Sequence, residues 1–118
     1  MATISIKPAK LNYKITRGDD FADYVTIKEG EPPSAVDVST RTFQAQVRRT
    51  PNGPVVAHMV MDETDAATGV IGYSISDVTT ADMDGQYVWD FQQITGGFTR
   101  TLMAGSFTVV QDVTRDDE

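Results

Sequence analysis

His58 is the only histidine in the 118-residue sequence and the only side chain whose ordinary pKa lies close to neutral pH, which makes it the first candidate general base. It lies in the apolar run from Val55 to Met61, on the alternation of Val56 and Val60, with no carboxylate or nucleophile adjacent in sequence. A histidine so placed reads as a strand residue, either on the surface or satisfied in a core. No Gly-x-Ser-x-Gly segment supports nucleophilic catalysis, and no glycine-rich loop is arranged to cradle phosphate. Asp62-Glu63-Thr64-Asp65 could offer oxygen ligands to a cation, but it lacks the glycine and closing glutamate of a calcium loop. Paired carboxylates of the glycosidase kind need a groove that one small sandwich has little room to build. Tyr87, Trp89 and Phe91 could stack on a sugar, yet they share one parity on the most apolar stretch, which points to a core. Arg17-Gly18-Asp19 reads as turn chemistry. The expectation is a protein that is not an enzyme and needs no metal or other cofactor.

Charge narrows the partners. Seventeen acidic residues stand against ten basic ones, a net charge of −7, which argues against nucleic acid, whose phosphates are bound by lysine and arginine. The imbalance is uneven. Residues 1–49 carry eight basic and six acidic side chains, whereas residues 50–118 carry two basic and eleven acidic ones. Such polarity suits a solvated acidic face, head-to-tail contact between copies, or the docking of a basic partner. The absence of cysteine fits a reducing compartment and removes thiol chemistry. The first ten residues lack the basic and apolar regions of a signal peptide, and no apolar stretch approaches the roughly 20 residues of a membrane span. No membrane partner is expected.

The elements that must position these residues are strands. Fifteen Thr, thirteen Val and seven Ile against two Leu favour pleated, half-buried surfaces. Period-two alternation recurs in short runs separated by Gly, Pro, Asn and Asp. It predicts strands around Ile4 and Ile6, through Leu11, Tyr13 and Ile15 as one inward set, and from Phe21 to Ile27. Further strands follow through Phe43, Ala45 and Val47, from Val55 to Met61, through Ile71, Tyr73 and Ile75, from Gln86 to Gln93, and from Phe98 to about Val113. Residues 29–40, with Pro32 and Pro33, read as a loop, and Asn52-Gly53 as a tight hairpin. Residues 77–83 read as one helical turn crossing between sheets. In the last strand Leu102 and Ala104 share one parity and Phe107 and Val109 the other, so a bulge is expected at Gly105. The predicted core comprises Phe21, Phe43, Tyr87, Trp89, Phe91, Leu102 and Phe107.

Turn signals at roughly ten-residue spacing predict an all-β, single-domain antiparallel β-sandwich of seven to eight strands. Met83-Asp84-Gly85-Gln86-Tyr87-Val88-Trp89 sharpens this to the immunoglobulin-like class. Tyr87 stands where such domains place a tyrosine whose ring packs inward and whose hydroxyl bonds back to the corner. Trp89 stands where antibody domains place a half-cystine.

From about Leu11 to Arg115 the chain resembles the small immunoglobulin-like domain at the N-terminus of bacteriophage baseplate upper proteins, which also occurs alone in phage tail gene clusters. The carriers are Gly18-Asp19-Asp20-Phe21, the strand from Thr42 to Arg48, the segment from Gly85 to Gln92, and Arg100 to Val109 followed by Asp112-Val113-Thr114-Arg115. The resemblance implies a structural virion protein made in the host cytoplasm, an adaptor that contacts tail, baseplate or fibre components and other copies of itself. Capsid decoration by the same fold, as in head-fibre proteins, and a carbohydrate-binding module are the alternatives; the latter requires Trp89 or Tyr24 to be exposed beside other aromatics. The expected contact residues are Glu31, Pro32 and Pro33 of the proline loop, with Asp112 and Arg115 near the acidic end.

Overall fold

A computed structural model describes residues 9–111. The run around Ile4 and Ile6, and the contact candidates Asp112 and Arg115, lie outside the described residues. The strands are β1 (Ala9–Lys10), β2 (Tyr13–Thr16), β3 (Phe21–Thr26), β4 (Lys28–Glu29), β5 (Ser34–Ala35), β6 (Thr42–Arg48), β7 (Val55–His58), β8 (Val60–Asp62), β9 (Val70–Ile75), β10 (Gly85–Thr95) and β11 (Phe98–Val110), with a 3-10 turn at Ala66–Thr68 and an α-helical turn, α1 (Asp77–Thr80). One sheet runs β1-β11-β10-β6-β7, with β2 also pairing β11; a second runs β3-β9-β8. The sheets face one another, and the stacked rings of Tyr73 and Trp89, 5.6 Å apart, lie across the gap. The fold is an immunoglobulin-like β-sandwich.

Alternation built this core. Phe43, Ala45 and Val47 on β6, Ile71, Tyr73 and Ile75 on β9, and Tyr87, Trp89 and Phe91 on β10 are all buried, as are Phe21 and Phe107. Each large apolar side chain so buried contributes about 1.5–3 kcal/mol. The corner forms as Tyr87 suggests: its hydroxyl accepts the backbone N–H of Asp84 at 2.8 Å. Arg49 lies over the same ring at 4.2 Å, a cation–π contact that covers its outer side.

Helical turn α1 joins β9 to β10 and so carries the chain from one sheet to the other. The Gly18-Asp19-Asp20 turn holds it in place. Asp20 Oδ1 accepts the N–H of Asp77 at 2.7 Å, and the fully buried Thr80 donates its hydroxyl to the carbonyl of Asp19 at 2.7 Å. Ser76 occupies the N-cap without a side-chain capping bond, and Asp20 accepts the first helical N–H from outside the helix.

Several expectations are corrected. The bulge lies at Leu102, not Gly105: Phe91 pairs Met103, Gln92 pairs Thr101, and Leu102 has no opposite. Met103 therefore takes the inward position, 5% exposed, and Leu102 is only half-buried at the edge of the core. Gly105 has another task. It pairs Trp89 in a regular ladder, and a Cβ there would come within 2.1 Å of the Leu11 carbonyl oxygen, so glycine is needed where the chain crosses from β1 to β2. That crossing also turns the Leu11 side chain outward, leaving only Tyr13 and Ile15 of the expected trio against the core.

The run from Val55 to Met61 is not one strand. It breaks at Met59, so that β7 pairs β6 and β8 pairs β9 in the opposite sheet. Residues 29–40 are more than a loop. The β4–β5 hairpin forms at their start, and Val38 is fully buried in the core.

Candidate interaction surface

Three connections meet at one end of the sandwich: the segment between β3 and β6, the segment between β8 and β9, and the β10–β11 turn. Backbone bonds tie the first two together, since the N–H of Ile27 donates to Gly69 O at 2.7 Å and that of Val38 to Ala66 O at 2.9 Å. Arg41 ties in the third. Its guanidinium donates to Glu29 Oε2 at 2.8 Å and to Gln93 Oε1 of β10 at 3.1 Å. The hydrogen bond from Arg41 holds the Glu29 carboxyl below the usual carboxylate range, and Arg100 adds to the effect from β11.

The bulge decides what this end displays. Residues opposite one another on antiparallel strands share a face, and Gln93, two residues beyond inward Phe91, pairs Arg100. Thr95 likewise pairs Phe98. The extra residue at Leu102 thus brings Phe98 and Arg100 onto the face above the Glu29–Arg41 pair, although their numbers have the opposite parity to Met103 and Phe107. Phe98 is 80% exposed, the most exposed large apolar side chain among the described residues. Glu31, Pro32 and Pro33 are exposed on the connection between β4 and β5, at the same end. Phe98, Arg100 and Arg41 escape a sequence reading because their placement depends on a bulge and on a long-range ion pair. The one local hint is an aromatic immediately after Gly96-Gly97.

The other chemical candidates resolve individually. His58 is exposed on β7, opposite Gln46. Asp62 accepts both the N–H and the hydroxyl of Thr64 through one oxygen, which holds its carboxyl below the usual range. Trp89 is buried, and its indole N–H donates to the Leu11 carbonyl at 2.8 Å. It offers no face to a sugar. Tyr24 is exposed, but no ring contacts it among the described residues.

Two further polar groups were not anticipated. Tyr13 donates to Asp23 Oδ2 at 2.6 Å; its proton is thereby committed, so the Tyr73 hydroxyl, 2.6 Å away, donates to Tyr13. Burial raises both phenol pKa values, keeping them neutral donors across physiological pH. On the outer face of the larger sheet Asp90 lines a shallow depression with Gln46, Arg48, Val88 and Ala104; burial raises its pKa and Arg48 opposes the shift.

No protein-family model and no curated protein matches the chain. Among solved structures it is similar to the N-terminal Ig1-2 module of the Drosophila receptor protein tyrosine phosphatase DLAR, with 18% identity and a TM-score of 0.49 over 96% of this chain and 50% of that one. It is also similar to CopC from Methylosinus trichosporium OB3b, with 12% identity and a TM-score of 0.47 over 98% of this chain and 94% of that one. The chain spans half the length of the DLAR module.

Proposed function

We propose that the chain is a non-catalytic structural module of a bacteriophage virion, seated in the tail, baseplate or fibre-adaptor region and acting through protein–protein contacts. The observation that carries the contact reading is Phe98, 80% exposed on a hairpin tip that Arg41 locks to the neighbouring connections. A large apolar side chain held in water on a braced support is the form of an interface anchor, and Pro32 and Pro33 are exposed on the β4–β5 connection at the same end. The virion assignment rests on the sequence segments, which fall on scaffold elements. Gly18-Asp19-Asp20 holds α1, and the runs from Thr42 to Arg48 and Gly85 to Gln92 form the paired centre of the larger sheet.

The test adds the purified protein to phage particles assembled without it and localises added density by electron microscopy. Stoichiometric addition at the tail is the expected result. Addition at the capsid would reassign the module to decoration, and failure to bind any particle would overturn the virion reading.

A further inference from the structure

The outer face of the β3-β9-β8 sheet carries a feature complementary to the hairpin tip. Tyr24, Gly72 and Asp62 lie in one row across the three strands, since Tyr24 pairs Gly72 and Gly72 pairs Asp62. Gly72 has no side chain to fill the middle of the row, and a Cβ there would press on Asp62 Cβ at 3.2 Å. The result is a trough of about 290 Å³ with Gly72 and Val70 as floor, the 67% exposed Tyr24 ring as one wall, and Asp62 and Asp65 at the other. That volume falls just below the roughly 300–1,000 Å³ of small-molecule sites and suits one or two side chains. Both carboxylates are exposed, and the bonds from Thr64 favour the charged form of Asp62.

We propose that the Phe98–Arg100 tip of one copy docks into the Tyr24–Gly72–Asp62 trough of a second copy, forming a head-to-tail contact. The inference deepens the reading of the loop end as a contact surface and names its partner. Chemistry selects a second copy. The tip offers an aromatic ring and, two residues on along the same face, a cation; the trough offers an aromatic wall, an open floor and two carboxylates, so ring meets ring and charge meets charge. The chain supplies both halves, the cation Arg100 on the β10–β11 tip and the carboxylates Asp62 and Asp65 beside Gly72 on the smaller sheet. A tip-in-trough contact that is reciprocated closes as a two-fold dimer, and one that is not is heterologous and propagates into rings or open strings.

Sedimentation velocity on the purified full chain, up to about 1 mM and at low and high salt, tests this. Self-association that weakens with salt is expected. Phe98→Ser and Tyr24→Ser alter exposed side chains, so both variants should keep the wild-type circular dichroism, and each should weaken association by about tenfold or more. The deciding sample is their equimolar mixture. One variant keeps an intact trough and the other an intact tip, so the mixture should form a dimer and nothing larger. A wild type that stays monomeric, association that survives either substitution, or a mixture that stays monomeric would each overturn the proposal. A monomeric protein that still adds to particles would leave the virion reading standing, whereas self-association without particle binding would do the reverse.

Discussion

Trp89 combines a buried ring with a polar edge that has a partner, and the two parts can be separated by substitution. Trp89→Ala should destabilise the domain by about 3–5 kcal/mol in urea unfolding, the range for removing a large aromatic from a core. Trp89→Phe keeps most of the ring but leaves the Leu11 carbonyl without its indole donor, and should cost less, with the lost bond accounting for about 0.5–1.5 kcal/mol. Asp90 works in the opposite sense. Burial raises its pKa above the unfolded value, so the folded state holds the proton more tightly, and stability falls as pH rises from the ordinary aspartate range through the folded pKa. Asp90→Asn removes that loss. Its melting temperature should exceed that of wild type at pH 7, and the difference should close below about pH 3, where the carboxyl is protonated in both states. A constant difference across pH would assign the effect to something other than ionisation.

At the scale of elements, Gly105 is the most demanding position, because the Leu11 backbone leaves no room for a Cβ. Gly105→Ala should cost about 2 kcal/mol or more, beyond the usual range for a surface strand. Hydrogen exchange should accelerate at the amides of Leu11 and Ser106, which are bonded to Ala104 O and Asn12 Oδ1 across that crossing. Alternation made most strands readable from sequence, since each has one face against the core and the repeat of two survives within it: Phe43, Ala45 and Val47 show it without interruption. The tyrosine corner and the helical crossover were legible for a related reason, being made by residues close together in the chain. What stayed hidden depends on distant backbone. The parity break near residue 104 signals a bulge without fixing its place, because Gly105 is a plausible site until the Leu11 carbonyl is known to occupy its side-chain space. The switch at Met59 is invisible because both sheets accept the same alternation. Val38 and the Arg41 bridge are set by partners far along the chain, and with them most of the candidate contact surface.

At the scale of the whole molecule, charge has two effects of opposite sign. A net charge of −7 repels itself within the compact state, so raising ionic strength from about 10 to about 150 mM should raise the melting temperature. The same salt should weaken the head-to-tail contact, so stability and association should move apart along one titration. A last consequence comes from the direction of β2, which runs parallel to β11 from Tyr13 opposite Phe107 to Thr16 opposite Val110. Because the two strands run the same way, the chain enters this ladder at one end and leaves it at the other. Tension between the two flanks pulls the strands lengthwise past each other, so the rungs share the load instead of opening one after another as a zipper would. Force carried between those flanks would load the β2–β11 ladder in shear.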